Sequence, residues 1–243
     1  MTVRRQYTYL LVLLITGLMI VSCSHVDDSI YDPEFNVYGI LYSWKPRHEI
    51  IVDRTYRMNE PSEPYVNDAT VILSTGGFRD TLIYDNTLQR YSSGYHELQP
   101  STTYDLFVSK DGIDTLRGST TVPGDFVIVN MIMDTLALMD SIRFTHSQGA
   151  AMYELTIREP LTSTEYSFWY FPDPEDTLTT VLGNYIYNIP SSVYEILITA
   201  LDSNYRDYYF EPLDSLYAAG VTGGVGLFSS SWTVSKQFYI ITE

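Results

Sequence analysis

Residues 98–123 have the sequence LQPSTTYDLFVSKDGIDTLRGSTTVP, and this stretch decides the fold. Tyr104, Leu106 and Val108 alternate with other residues, so their side chains fall on one face of a strand. Asp111-Gly112 is a two-residue turn signal, because glycine adopts positive φ without steric cost. The segment GIDTLRGSTTV then forms the closing strand, and Pro123-Gly124 ends the unit. The stretch therefore predicts an antiparallel β-hairpin with one buried face.

The residues just before this hairpin carry a second signal. Leu98 and Pro100 precede Tyr104 at a spacing that resembles the tyrosine corner of immunoglobulin- and fibronectin-type sandwiches. In that arrangement the tyrosine hydroxyl bonds to backbone a few residues upstream. Tyr104 is therefore expected to be buried with its hydroxyl paired.

Short apolar runs recur on both sides of the hairpin, with turn signals roughly every 8 to 12 residues, which favours sandwiches over α/β architecture. In the run 68–75, Ala69, Val71 and Leu73 share one face, and Gly76-Gly77 offers another hairpin turn. The other runs are NVYGILYSW (36–44), HEIIVDRTY (48–56), FRDTLIYDN (78–86), FVIVNMIM (126–133), DSIRFTHS (140–147), AAMYELTIRE (150–159), EYSFWYFPDPED (165–176) and TTVLGNYIYNIP (179–190).

The period changes after the strand that begins at residue 192. From Asp202 onward, tyrosines and leucines recur at three- and four-residue steps, which is typical of a helix. Asp202 or Ser203 could cap it, and Pro212 would interrupt or end its first segment. Residues 221–242 then form a glycine-rich loop and a last strand.

These patterns together predict an all-β fold class: two tandem immunoglobulin/fibronectin-like β-sandwich domains, with a short helix in the second. The predicted domains are an immunoglobulin-like sandwich at 36–123 and a fibronectin-like sandwich at 124–243.

The N-terminus has the three-part pattern of a secretory signal peptide at 1–22, with Arg4 and Arg5 before an apolar run. This run is too short for a bilayer span, which takes about 20 residues. The twin arginines also match the Tat motif in part, but Val3 stands where that motif has Ser or Thr. A cleaved leader is therefore the prediction.

Cys23, the only cysteine, follows directly. Ile20-Val21-Ser22-Cys23 resembles the lipobox of bacterial lipoproteins, which implies cleavage between Ser22 and Cys23 and a diacylglycerol on the Cys23 sulfur. The alternative is a buried free thiol. Residues 23–35 are polar and acidic and would be the lipidated tether. By resemblance, Ser24 argues against retention in the inner membrane, and Asp27-Asp28 looks like an acidic signal for export to the cell surface.

The charge of the chain excludes one class of partner. Its formal net charge is −16, and removal of residues 1–22 takes away two arginines and leaves about −18. Such a field repels phosphate backbones, so nucleic-acid binding is not expected. The mature chain would have no disulfide and would depend on its core alone.

Motifs for metal or nucleotide chemistry do not appear in the sequence. The four histidines, His25, His48, His96 and His146, lie in different predicted elements without metal-ligand spacing. Gly223-Gly224-Val225-Gly226 has neither the lysine of a P-loop nor a strand–loop–helix context. It is expected to turn the chain tightly into the last strand, with Leu227 and Phe228 packing beneath. We expect no metal and no cofactor.

Carboxylates are abundant, and a glycosidase needs only two that face one sugar. Abundance by itself is therefore no argument for a hydrolase, and no nucleophile elbow is present. The acidic group Asp173, Glu175 and Asp176 could hold calcium, but a proline-broken acidic turn is the simpler interpretation. No catalytic residue is predicted.

The aromatic run at 166–171 is the candidate ligand or partner surface, formed by Tyr166, Phe168, Trp169 and Tyr170. On a strand, Tyr166, Phe168 and Tyr170 face one way, while Trp169 and Phe171 face the other. One set must point away from the core of its own sandwich. That set could cover the other domain, pack on a receptor or stack on a sugar ring; burial within the chain is the default.

The order of several motifs resembles a family of outer-membrane lipoproteins of Bacteroidota-like bacteria. These motifs are the lipobox, V-x-D-A-T-V (66–71), L-x-P-x-x-x-Y-x-L (98–106) with its T-V-P ending, D-S-N-Y-x-x-Y-Y (202–209) and G-G-V-G-L-F (223–228). Members pair an immunoglobulin- or carboxypeptidase-regulatory-like domain with a fibronectin-like one. They are often encoded beside TonB-dependent receptors, which implies such a receptor as a possible partner.

The sequence therefore predicts a non-enzymatic lipoprotein, anchored in outer-membrane lipid through acylated Cys23. It would act as a binding or accessory module for a surface receptor or assembly, at the cell surface or the periplasmic face. The alternative is direct glycan or peptide binding, or adhesion. A hydrolase would need a cleft with two carboxylates about 5 to 9 Å apart, one of them with a raised pKa.

Overall fold

The computed structural model describes residues 32–56, 65–129, 135–137, 141–159, 164–173, 177–182, 192–211 and 218–241. Pro33–Glu243 form one compact unit. The predicted leader, Ser22 and Cys23 lie outside the described residues, as do Glu175 and Asp176. Cleavage and lipidation at Cys23 therefore stay predictions.

Strands dominate the described part of the chain, with one short helix. The strands are β1 (Phe35–Tyr42), β2 (Glu49–Arg54), β3 (Thr70–Thr75), β4 (Phe78–Thr81), β5 (Ile83–Asp85), β6 (Arg90–Ser92), β7 (Thr103–Lys110), β8 (Ile113–Thr121), β9 (Thr135–Ala137), β10 (Ser141–Thr145), β11 (Met152–Glu159), β12 (Thr164–Tyr170), β13 (Leu178–Leu182), β14 (Ser192–Leu201), β15 (Ala218–Ala219), β16 (Val221–Thr222) and β17 (Gly224–Ile241); helix α1 is Ser203–Phe210. The predicted all-β fold class with a short helix in the second half is confirmed.

The first half is a sandwich of two sheets. One sheet has the order β16-β8-β7-β3-β4, and the other is the β17-β1-β2-β6-β5 end of a larger sheet. Inward-facing residues of both sheets form one hydrophobic cluster, as alternation along each strand requires. Its members include Phe35, Val37, Ile50, Val52, Val71, Leu73, Tyr91, Tyr104, Leu106, Val108, Leu116 and Phe228.

The second half has its own cluster. The β12-β11-β14-β17 end of the large sheet supplies one face, and the pair β10-β13 forms a second, smaller sheet. The buried residues are Phe126, Ile142, Phe144, Tyr153, Leu155, Ile157, Tyr194, Ile196, Ile198, Ala200 and Phe238.

Strand β17 contributes to both clusters. Residues 224–231 pair in parallel with β1, and residues 231–240 pair antiparallel with β14. The change of partner falls at Ser231, which lies opposite Tyr42 on one side and Leu201 on the other. Trp232, the next residue, packs against both clusters. The domain boundary near Pro123-Gly124 stays a prediction, and the last strand belongs to both sides of it.

The predicted tyrosine corner is confirmed. The Tyr104 ring is fully buried, and its hydroxyl accepts a hydrogen bond from the backbone N–H of Gln99 at 3.3 Å. The hydroxyl also lies 2.9 Å from His96 Nε2. Tyr153 repeats the device in the second half, where its hydroxyl accepts from the Ser147 backbone N–H at 2.7 Å. Each half thus fixes a loop to its core through a buried phenol.

The predicted turns and the glycine-rich entry to β17 are also confirmed. Gly76-Gly77 links the paired residues Thr75 and Phe78, and Asp111-Gly112 links Lys110 and Ile113. Gly226 has φ +113, and Leu227 and Phe228 after it are fully buried.

Helix α1 begins as predicted at one of the two proposed caps. Asp202 Oδ1 accepts from the Tyr205 backbone N–H at 3.1 Å, and the helix ends at Phe210, before Pro212. The helix has no fully buried residue. Within the described residues, no helix is long and apolar enough to cross a membrane.

Candidate functional site

A groove of about 520 Å³ lies on the outer face of the large sheet, over β11, β12, β14 and β17. Alternation builds its floor, because the residues between the core-facing positions of these strands point the other way. Hydroxyl, carboxylate and guanidinium groups dominate this floor. They belong to Glu154, Thr156, Arg158, Glu165, Ser167, Glu195, Thr199, Thr233 and Ser235, with Leu197 and Leu201 beside them.

The hydroxyls of the floor pair across neighbouring strands. Thr156 Oγ1 and Ser167 Oγ are 2.9 Å apart, and Thr199 Oγ1 and Thr233 Oγ1 are 3.0 Å apart. A hydroxyl has one proton and two lone pairs, so the Thr199–Thr233 pair uses one proton and keeps a second donor. Ser167 donates to Glu154, so the Thr156–Ser167 pair keeps acceptors alone. The floor can therefore still bond to a polar ligand.

Aromatic and cationic side chains stand at the groove's rim. Tyr42 and Trp44 come from the end of β1 and the turn after it, with ring centroids 5.6 Å apart. Lys45 Nζ lies 4.9 Å from the Trp44 ring and 5.3 Å from the Tyr42 ring, within cation–π distance. Tyr205 of α1 also lines the groove. Trp44 is 61% exposed, so its ring is available to a ligand.

The predicted aromatic surface divides between two faces, as the alternation of β12 requires. Tyr166, Phe168 and Tyr170 are half-buried and pack against the second hydrophobic cluster. Trp169 lies on the outer face, with Ser167 and Glu165, and remains 42% exposed. Of the four predicted surface residues, Trp169 is therefore the one on the same face as the groove, next to Glu154 in the cross-strand register.

Trp169 belongs to a continuous row of rings, which we call the aromatic ridge and define as Trp169, Phe171, Tyr205, Tyr208, Tyr209, Phe210 and Tyr38. The centroid of the Trp169 ring is 5.9 Å from that of Tyr205 and 5.7 Å from that of Phe210. Tyr205 and Tyr209 follow at 4.7 Å, and the hydroxyls of Tyr209 and Tyr38 are 2.7 Å apart. Intramolecular contact holds these rings in place while leaving most of them partly exposed.

The charges of the groove concentrate at the end away from the ridge. Arg158 Nε donates to Glu165 Oε1 at 2.6 Å, and its Nη1 lies 3.5 Å from Glu195 Oε2. Glu154 lies nearer the rings. Burial raises the pKa of the Glu154 carboxyl, a hydrogen bond from Ser167 opposes this, and the charge of Glu165 raises the pKa further.

Two of the four histidines come together, although they have no metal-ligand spacing along the chain. The His48 and His96 rings are 6.4 Å apart, and Phe78 stacks on His96 at 3.7 Å. His48 Nε2 donates to the His96 carbonyl at 3.0 Å. His146 lies instead beside Tyr153, and His25 is outside the described residues. Among the described residues, no three His, Cys, Asp or Glu side chains converge as a metal site.

The described residues form further concavities elsewhere. One, of about 670 Å³, covers the outer face of the smaller sandwich sheet, where the Arg117 guanidinium lies 5.2 Å from the Phe107 ring. Another, of about 140 Å³, lies beside the groove's rim at Tyr42 and is lined by Lys45, Arg47 and Arg90. Arg90 is already paired with Glu49 at 3.0 Å. The 520 Å³ groove combines exposed rings with a hydroxyl-rich floor, so it is the candidate site.

Sequence reasoning found Trp169 but missed Trp44, Tyr42 and Glu154 as site residues. A signal was present for the rim, because two aromatic residues stand at and just after the end of an apolar run in LYSW (41–44). Glu154 carries no local signal, since its position depends on which strands become neighbours.

Comparisons with known proteins find distant similarity to solved structures. No protein-family model matches the chain, and no curated protein does. A two-domain fibronectin type-III segment from chicken tenascin shares 10% identity, with 86% of this chain and 99% of that one covered and a TM-score of 0.27. The IG1 and IG2 domains of DIP-gamma share 9%, with 88% and 98% covered and a TM-score of 0.24. The FN1–FN3 domains of chicken CNTN1 share 17%, with 84% and 65% covered and a TM-score of 0.25. Similarity at this level carries no argument about this chain.

Proposed function

We propose that this chain is a non-enzymatic, lipid-anchored binding module of the outer membrane. Cys23 holds it to the lipid, and its folded part binds a ligand or partner on the outer face of the large sheet. The observation that carries the proposal is the groove with its adjoining aromatic ridge. Exposed large rings held in fixed positions suit recognition, because they bury much area on binding and lose little conformational entropy.

The anchor is supported by the lipobox resemblance of residues 20–23 and by the polar tether after it. A diacylglycerol plus an acylated amino group supplies three acyl chains, enough for stable attachment. In Cys23→Ser we expect the leader to remain uncleaved. The variant should no longer be found in the outer-membrane fraction as a protein that only detergent releases. His25→Ala serves as the matched control. Normal processing and membrane attachment of Cys23→Ser would contradict the anchor.

The family resemblance supports a TonB-dependent receptor or its surface assembly as the partner. Mild detergent extraction of the full-length protein, followed by mass spectrometry of what co-purifies, tests this. Trp169→Ala and Phe210→Ala should reduce receptor capture, while Tyr95→Ala, a change at an exposed ring outside the groove and ridge, should not. Melting temperatures are measured in parallel. A large drop in melting temperature with unchanged capture would assign Trp169 a purely structural role.

Glu154 favours a second candidate function, hydrolysis of a glycosidic bond. A carboxyl whose pKa burial raises, in a groove that also contains Glu165, is the kind of group that acts as general acid. If the groove is catalytic, Glu154→Gln should abolish turnover of an aryl glycoside and leave binding in place. If the full-length protein releases no aryl alcohol, the non-enzymatic proposal stands.

A further inference from the structure

We infer that the groove binds a neutral carbohydrate chain, with the sugar rings against Trp44 and Tyr205 and their hydroxyls on the floor. This inference rests on the proposed binding function and names its ligand class. A volume of about 520 Å³ lies within the range of small-ligand sites, about 300 to 1,000 Å³.

The floor has the chemistry that sugar hydroxyls require. Thr156, Ser167, Thr199 and Thr233 stand in two hydrogen-bonded pairs. The Thr199–Thr233 pair keeps one donor, and both pairs keep acceptors, since the Ser167 proton goes to Glu154. Glu154 adds carboxylate oxygens between this floor and the rings. A sugar hydroxyl both donates and accepts, so a surface with hydroxyl and carboxylate groups can pair with it in both roles.

The rim supplies the apolar contact. A hexose has a face of C–H groups and an equator of hydroxyls, and a ligand of this kind needs a ring surface beside a polar floor. Trp44 and Tyr205 both line the groove, and Trp44 is the more exposed of the two. Lys45, over the Trp44 and Tyr42 rings, limits their movement and keeps the platform in place.

Charge selects against anionic polymers. The chain carries −16, and the groove contains Glu154, Glu165 and Glu195. Arg158 is engaged by two of these glutamates, at 2.6 and 3.5 Å. A uronic acid or sulfated chain would therefore meet more like charge than opposite charge, whereas a neutral chain would not.

The sheet geometry disfavours an extended peptide. Peptides that add to sheets bond through the main chain at an unpaired edge. The central floor strands β11 and β14 are each paired on both sides, β11 with β12 and β14, and β14 with β11 and β17. A peptide lying on this face would find side-chain partners alone.

Titration calorimetry of the full-length protein in mild detergent tests the inference. The probes are maltohexaose, cellohexaose and mannohexaose as neutral chains, polygalacturonate as an anionic chain, and a tryptic digest of casein as a peptide mixture. We expect at least one neutral hexamer to bind and the other two probe classes not to bind. Trp44→Ala should weaken that binding about fivefold to tenfold, since a stacked ring contributes about 1 kcal/mol.

Thr199→Val removes one floor hydroxyl at nearly constant volume and should weaken binding about fivefold. Tyr95→Ala should bind as the wild type does. The Trp44 side chain is mostly exposed, so circular dichroism should show Trp44→Ala folded.

The inference is overturned if no neutral hexamer binds, if polygalacturonate or peptide binds in its place, or if neither groove variant changes the affinity. Should glycan binding fail while ridge-dependent receptor capture persists, the ligand class is wrong and the binding module stands. If glycan binding and receptor capture both fail, the inference and the proposed function are both wrong.

Discussion

Asp202 shows how much one side chain can connect. It is 4% exposed, caps α1 through Tyr205 and accepts from Ser229 Oγ at 2.6 Å. Its second oxygen accepts from Thr120 Oγ1 of β8 and from the Ser230 backbone N–H. One carboxylate therefore joins the helix, the last strand and the opposite sheet of the first sandwich.

Asp202→Ala should reduce the free energy of unfolding by about 2 to 4 kcal/mol, because it removes a helix cap and leaves several donors without an acceptor. Urea denaturation measures the effect. Asp207→Ala, on the same helix but exposed and paired with Arg206, should change stability by less than about 0.5 kcal/mol. Equal effects of the two variants would show that the buried network contributes nothing.

Strand β17 begins at a conformation that requires glycine. Gly226 has φ +113, and a Cβ there would overlap the carbonyl of Val37 on the neighbouring strand. Gly226→Ala should therefore destabilise the protein by more than about 2 kcal/mol in chemical denaturation.

Gly112→Ala is the matched control, since Gly112 has φ +80 but open space around it. Gly112→Ala should lower the free energy of unfolding by about 1 kcal/mol, the cost of a positive φ at a residue with a Cβ. If the two variants lose the same stability, contact between β1 and β17 is not what excludes a side chain at residue 226.

Local sequence patterns predicted most individual elements, but the site also depends on which strands become neighbours in the sheet. Alternation placed Tyr104, Leu106 and Val108 inward, and the change of period at Asp202 predicted the helix with its cap. The contact between Trp169 and Tyr205 depends on the sheet order β12-β11-β14-β17, which no local period encodes. The split use of β17 was missed for the same reason, because strand partners are chosen by long-range packing.

The shared last strand predicts that the molecule unfolds as one unit. Phe228 lies in the first hydrophobic cluster, and Trp232 contacts both clusters. A fragment of residues 36–123 lacks both and turns β1 into an unpaired edge. We expect this fragment to show no cooperative thermal transition by circular dichroism, whereas the full-length protein unfolds in a single transition. A fragment that melts cooperatively by itself would establish an independent first domain.

Stability should also fall with acid because of His48, which lies in the first sandwich with 1% exposure. Burial lowers its pKa from 6.5 to about 4, with the charge of His96 acting in the same direction against a hydrogen bond to the His96 carbonyl. His48 therefore becomes protonated near pH 6.5 in the unfolded chain, but only near pH 4 in the folded protein. The stability associated with neutral His48 is complete above pH 6.5 and is lost on acidification across that window, by up to about 3 kcal/mol.

The pKa values of Asp202 and Glu154 are raised by burial, so these groups act in the opposite direction. For this reason the free energy of unfolding of the wild type is compared with that of His48→Gln, by urea denaturation at steps between pH 7 and pH 4. Glutamine can still donate to the His96 carbonyl but does not titrate, so its stability should fall less steeply with acid than that of the wild type. Parallel curves for the two proteins would mean that His48 takes up its proton equally in the folded and unfolded states, and that another group sets the acid limit of this fold.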